Sequence, residues 1–328
     1  MSNRKKFFIL IIFLTLVVIS FFVSLLNGSV DVSNSQIFSI LGFNNEIVDE
    51  TKTQIIQNIR LPRTIVAIMV GINLSLSGAI LQAVMKNPLA DPHIIGISSG
   101  AGLFGIFVML IKTDAGHLVT PAAFIGAMLA AFLIYILAWK DGIKPIRVIL
   151  AGVAVSAFLG AGISAMLIFY SDKVHSALLW MVGGLSARSW NHVEIILPYT
   201  IIGTISALIL SRHLNILLLG DDAAKGLGLN VDICRTILTA IAALLASSAV
   251  CVVGLLGFVG LIIPHSARIL IGSDYRFLLP AAALLGAAVL TFCDTFARII
   301  FSPTELPVGI LMAFLGAPFF LFLLRKEI

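Results

Sequence analysis

The sequence predicts an all-α polytopic membrane protein of about ten transmembrane helices, and three observations carry that prediction. Of the 328 residues 59% are apolar and only 11% are charged, with a mean hydropathy of +1.10. A soluble globule carries roughly 25% charged residues, so this chain has too little polar surface to face water throughout. Its apolar residues form continuous runs near the length of about 20 that a helix needs to cross a hydrocarbon core, not the alternation of a membrane β-barrel. The basic residues also sort to one side of those runs, as cytoplasmic loops require. A cytosolic enzyme, a disulfide-stapled secreted domain, a disordered chain and a single-span anchor with a soluble head are excluded.

The elements follow in order. Arg4, Lys5 and Lys6 precede an apolar run over 7–26. That run is longer than the roughly 7–15 residues of a signal-peptide core and has no small-x-small cleavage site, so it reads as a retained first span. Further runs cover 64–84, 94–111, 119–139, 146–170 and 195–210. The next, 236–271, is interrupted by Gly254, Gly257, Gly260 and Pro264 and reads as two spans joined by a tight turn. Runs over 277–300 and 306–324 complete the set. Ten spans put both termini and fourteen of the twenty-one Lys and Arg residues on the cytoplasmic side; nine would misplace Arg276, Arg325 and Lys326.

The connections carry their own expectations. Residues 27–63 form a polar outer segment. The outer segment 171–194 contains Leu178 to Gly184, too short to span and apolar enough to lie in the interface. The longest cytoplasmic connection, about 213–235, is polar and Gly-rich, and a short amphipathic helix closed by glycine is expected in it. Residues 1–328 are expected to form a single transmembrane domain. Its spans 2–5 (about 60–170) and 7–10 (about 236–324) lie five spans apart, an odd offset that makes them an inverted repeat.

Chemistry-bearing motifs are scarce. There is no Gly-x-x-x-x-Gly-Lys-Ser/Thr loop for ATP, no His-Glu-x-x-His and no Gly-x-Ser-x-Gly elbow. The six histidines are scattered near span ends, and Cys234, Cys251 and Cys293 sit in apolar surroundings without metal-ligand spacing. No catalytic residue, metal site or nucleic-acid partner is expected. The net charge of +5 is read by membrane side, with lipid as the partner. Asp294 comes nearest to an intramembrane acid; Arg298, four residues on, lies on the same helical face, giving a local ion pair near the outer boundary. An ion-coupled secondary transporter is the alternative this acid leaves open.

Several short motifs occur in a fixed order. Arg60-Leu61-Pro62-Arg63 precedes Gly78-Ala79-Ile80-Leu81-Gln82, Asn87-Pro88-Leu89-Ala90-Asp91-Pro92 and Gly96-Ile97-Ser98-Ser99-Gly100-Ala101-Gly102. Trp180-Met181-Val182-Gly183-Gly184 follows, then Gly257 to His265, Glu305-Leu306-Pro307-Val308-Gly309 and Leu315-Gly316-Ala317-Pro318. The set resembles the FecCD-type permeases of ABC importers for iron–siderophore complexes, haem and vitamin B12, over nearly the whole chain after the first span.

That resemblance implies a type II ABC importer permease fold in the cytoplasmic (inner) membrane. It implies a homodimer or paired heterodimer of permease subunits, two cytoplasmic ATPase subunits that hold ATP and Mg, and an extracytoplasmic substrate-binding protein. This chain itself would bind no cofactor and would not be an enzyme. The loop that docks in the ATPase maps onto Gly220–Gly228, with Gly220, Asp221, Ala224, Lys225, Leu227 and Gly228 as coupling residues. The outward arginines that meet glutamates of the binding protein map onto Arg60, Arg63 and Arg298. The pathway maps onto spans five and ten and the short helix after span five, with Ser156, Gly160, Trp180 and Met181 lining it and Pro145 and Ile146 at the inner gate. The implied cargo is an iron chelate, foremost an iron–siderophore, with haem or cobalamin as alternatives.

Overall fold

The computed structural model describes residues 2–327 apart from 29, 31, 41, 43–48, 94, 95, 141 and 143, and every regular element among them is helical. In chain order these are α1 (Asn3–Leu26), α2 (Asn34–Ile40), α3 (Glu50–Gln54) and, through one π-helical stretch, α4 (Leu61–Val84). Next come α5 (Ile97–Ile111), α6 (Val119–Ala138), α7 (Pro145–Phe169), α8 (Val174–Val182) and α9 (Trp190–Ile209). The remainder are α10 (Ser211–Leu218), α11 (Asp221–Gly226), α12 (Val231–Val253), α13 (Val259–Ile271), α14 (Tyr275–Ile299) and α15 (Val308–Glu327). Seven helical stretches among the described residues are long and apolar enough to cross a membrane, and α5, α13 and α15 supply three shorter apolar helices. Each expected run holds one of these helices, except that 236–271 holds two, α12 and α13.

The centre of the bundle is α4. Nearly all of its side chains are buried, and it packs against α9, α12, α13 and α14. Small residues allow that crowding: Gly71 abuts the Gly286 backbone of α14 and Gly78 abuts the Gly260 backbone of α13, with no room for a side chain at either crossing. Asn73 fastens the same helix by donating to the Thr200 hydroxyl (2.9 Å) and the Ser248 hydroxyl (3.0 Å), which joins α4 to α9 and α12.

The expected break in 236–271 is present but shorter than the four interruptions predicted. The α12 helix stops at Gly254 (φ +83°), where any Cβ would collide with the Trp180 carbonyl, and α13 starts after Phe258, held at φ +67°. Gly260 and Pro264 lie inside α13 and do not interrupt it. Proline removes one i→i−4 hydrogen bond, which here frees the Gly260 carbonyl. Gln82 Nε2 of α4 donates to that carbonyl at 3.3 Å, so the neighbouring helix supplies the missing bond. Arg268 holds Gln82 in place by donating to its Oε1 at 2.9 Å.

The region 27–63 differs from a simple polar connection. From Glu50 onward it is already helical and continuous with α4, so Arg60 and Arg63 ride on a helix of the bundle. The 213–235 connection contains two short helices, α10 and α11, in place of one. Two parts of the chain repeat a local design. Both α5 and α13 begin after a left-handed residue, Gly96 (φ +69°) and Phe258, while α4 packs on α14 and α12 packs on α6.

Candidate functional site

At one end of the bundle five charged side chains converge. Arg63 binds Asp294 through two parallel hydrogen bonds, Nε to Oδ2 and Nη2 to Oδ1, each 2.9 Å. Its third donor, Nη1, reaches Glu305 Oε2 at 2.7 Å. Arg298 donates to the Ser24 hydroxyl (2.8 Å) and carbonyl (3.0 Å) of α1 and keeps Nε 3.6 Å from Asp294. Arg60 donates to the Leu25 carbonyl (2.7 Å) and to the Val30 carbonyl. The three guanidinium groups thus fasten α1, α4, α14 and the segment before α15 to one another.

Within this chain the three arginines do not present an outward face. Arg60, Arg63 and Arg298 are all buried, and their donors are largely committed inside the chain. Burying an unpaired charge costs several kcal/mol, so each arginine is drawn to the carbonyls and carboxylates within reach. The predicted Asp294–Arg298 pair is present, but Asp294 gives its best geometry to Arg63, a partner 231 positions away. Glu305 went unassigned although it opens the Glu305-Leu306-Pro307 motif. Partial burial disfavours its charge, and the Arg63 hydrogen bond outweighs that, holding its carboxyl below the usual range. It also accepts from the Ser186 hydroxyl at 3.0 Å, which ties the α8–α9 connection to the cluster.

The second place is α11. Gly220 (φ +106°) and Gly228 (φ +82°) bracket it, and both lie in open space. The expected contact residues divide between its two faces. Lys225 and Leu227 (64% exposed) point outward together with Asp222 and Ala223. Ala224 is fully buried in the core, so it is a packing residue and not part of a contact face. Asp221, its side chain 41% exposed, is tied back to the chain: Arg235 holds both its oxygens (2.7 and 2.9 Å) and Lys86 bonds Oδ1 at 2.7 Å. Neither cation was legible as its partner from sequence spacing, because Lys86 is 135 positions away and Arg235 sits one helix on.

Desolvation would raise the Asp221 carboxyl, but Arg235 and Lys86 outweigh it and hold the group below its usual value. A depressed carboxyl contributes stability above its unfolded pKa and loses it as pH falls through the folded one. Asp221→Asn is therefore expected to destabilise the chain near neutrality. Its deficit against the native chain should disappear below the carboxylate range, as read by thermal unfolding across that interval. A deficit independent of pH would contradict the ion-pair role.

The third place is the set of exposed apolar positions on α7, α8 and α15. Pro145 opens α7 at its first turn, Ile146 is exposed, and Gly160 faces open space. Ser156 is half-buried, with a hydroxyl that has no partner among the described residues. Phe158, Ile168 and Phe169 (82% exposed) continue the set on α7, and Phe314 and Leu315 do so on α15. Met181 is half-buried, but Trp180 is only 6% exposed. It turns behind α8 and packs over Gly105, so the structure removes it from the outer face of that helix. Leu178 and Leu179 take the exposed positions instead.

Comparisons with known proteins agree over almost the full length. The FecCD transport family model matches residues 16–326. The Fe(3+)-citrate import system permease protein YfmE of Bacillus subtilis (strain 168) is 42% identical over 99% of this chain and 97% of that protein. The cobalamin import system permease protein BtuC of Halobacterium salinarum is 43% identical over 85% of this chain and 76% of that protein. A solved structure described as an inward-facing conformation of a metal-chelate type ABC transporter superposes with a TM-score of 0.87 at 30% identity, covering 97% of this chain and 99% of that one.

Proposed function

The chain belongs to the FecCD transport family and has the type II ABC importer permease fold, and from that premise we propose that it carries an iron chelate, foremost an iron–siderophore, across the cytoplasmic membrane while ATP is hydrolysed on separate ATPase chains. It is a transport subunit and not an enzyme. The single observation behind the cargo is the end-to-end similarity to a permease named for Fe(3+)-citrate. Cobalamin is the second reading, favoured by the archaeal relative named for it. An ion-coupled carrier has less support, because Asp294 is already neutralised by a bidentate arginine and offers no free acid for a coupling ion.

The proposed assembly uses the three places in turn. A second permease subunit covers the exposed apolar positions of α7 and α15, with the pathway between the two copies and both termini cytoplasmic. The exposed residues of α11, Lys225 and Leu227 foremost, press into the ATPase. The helices α4 to α7 and α12 to α15 act as an inverted repeat, supported by the matching left-handed starts of α5 and α13 and by the exchanged packing of α4 on α14 and α12 on α6. ATP binding then shifts a two-state packing of the bundle. A binding protein docks at the end that holds Arg60, Arg63 and Arg298. Since these are committed internally, docking exchanges an internal acceptor for an external carboxylate. The half-exposed Glu305 is the exchangeable one.

Reconstitution with the ATPase and binding protein of the same importer tests this reading. ATP-dependent uptake of ferric citrate or a ferric hydroxamate is expected, and Leu227→Asp should abolish it while the chain still inserts and folds. Uptake of cobalamin alone would move the cargo to the second reading. Uptake driven by an ion gradient without the ATPase would reject the proposal.

A further inference from the structure

A cavity of about 510 Å³ lies behind α8, at the end of the bundle that holds Arg63. Its wall includes Ser176, Trp180, Arg188, His192 and Glu305. None of these contributes an acceptor to Arg188. The only hydrogen-bonding neighbour of that guanidinium among the described residues is a ring nitrogen: Nη1 lies 3.3 Å from His192 Nε2. Its Nε is buried without any partner. Burial first, and then the like charge of Arg63, push Arg188 down to about 10, so it remains charged at neutral pH without a carboxylate to balance it.

The hydrogen-bond pattern fixes what His192 presents. Its Nδ1 accepts from the Ser189 backbone N–H at 3.2 Å and lies 3.2 Å from the Ser189 hydroxyl, completing the cap of α9. The Ser189 N–H and Arg188 Nη1 can both only donate, and a neutral ring accepts at one nitrogen. The cap of α9, with two Ser189 groups on Nδ1, assigns the acceptor there and the proton to Nε2. The Arg188–His192 approach is therefore one donor facing another. Arg188 Nη1 and Nε and His192 Nε2 make three donors without an acceptor, in a pocket large enough to hold one. The local charge also has the matching sign among the described residues, since Arg63, Arg188 and Arg298 gather around Asp294 and Glu305. Both carboxylates are already engaged by Arg63.

We infer that this cavity is a binding site for a small carboxylate-bearing anion, held by Arg188 and His192. One oxygen sits between Arg188 Nη1 and His192 Nε2, and further oxygens satisfy the remaining guanidinium donors; charge-assisted bonds of this kind are the strong ones. A polycarboxylate suits the donor set better than a spherical halide, because the donors are spread over two side chains. The site stands on the geometry of this chain alone and does not depend on the identity of the transported cargo.

The probe is citrate, titrated calorimetrically into the full chain in lipid nanodiscs without ATPase, so that its failure leaves the transport proposal untouched. Saturable binding is expected, weakened about tenfold or more by loss of the charged donor in Arg188→Gln. Ser176→Phe, which fills the cavity and leaves both donors in place, should weaken it too and covers the case in which Arg188→Gln does not fold. Titrations with metal-free and iron-loaded citrate separate a free anion from the carboxylate of a chelate; saturable binding of either form at this site supports it. No saturable binding of either, displacement by equimolar chloride, or binding that survives Arg188→Gln or Ser176→Phe overturns the inference.

Discussion

Arg63→Ala is expected to lower the unfolding stability of the chain by about 3–5 kcal/mol, the cost of removing one partner from a buried ion pair. The magnitude follows from what remains. Asp294 is almost fully buried, and without Arg63 its nearest cation is Arg298, whose Nε is 3.6 Å away and makes no hydrogen bond to it. Glu305 loses its strongest partner in the same step and with it the tie to the segment before α15. Asp294→Asn should cost at least as much, because it leaves Arg63 and Arg298 with Glu305 as their only nearby carboxylate among the described residues. The double variant should cost less than the sum of the two single ones, since each leaves a charge that the other removes. Thermal unfolding in a fixed detergent gives the three values. A loss of under about 1 kcal/mol for Arg63→Ala, the range of exposed pairs, would show that the cluster does not hold the helices together.

Gly78→Val should prevent folding altogether. The Gly78 Cα lies against the Gly260 backbone of α13, where even a methyl group collides with main-chain atoms that cannot rotate away. Separating the helices to relieve the clash would also withdraw Gln82 from the carbonyl that Pro264 leaves unpaired. The substitution therefore opens a second defect one turn further along. The smaller change Gly78→Ala is expected to cost about 1–3 kcal/mol through overpacking. Gly160→Ala is the control: that glycine faces open space on α7, and the exchange should be neutral or stabilising by up to about 1 kcal/mol through helix propensity. Expression in the membrane fraction and thermal unfolding distinguish them. Equal effects at the two glycines would mean that close approach of α4 and α13 is not what the sequence protects.

How far the sequence reaches can be judged from particular residues. The nine apolar runs were legible because hydrocarbon imposes a length and a continuity that few soluble sequences meet. The division of 236–271 was legible too, although only Gly254 and its neighbours break the helix. Pro264 misled because its missing hydrogen bond is repaired by Gln82, a residue 182 positions earlier, and local reading cannot see that repair. The same limit applies to the arginines. Their number was legible, but spacing along a helix could offer Arg298 alone as the partner of Asp294.

The sequence by itself thus determined the solvent of this protein, the placement of its helices and the family whose ordered motifs it carries, since all three depend on composition and local pattern. Only the tertiary structure decided that Arg60, Arg63 and Arg298 are buried struts, that Ala224 and Trp180 face inward, and that Arg188 and His192 share a cavity in which Arg188 bonds no carboxylate among the described residues. Those facts depend on which side chains meet across helices far apart in the chain. With so few charges present, those in the two clusters are placed by the partners that packing brings within reach.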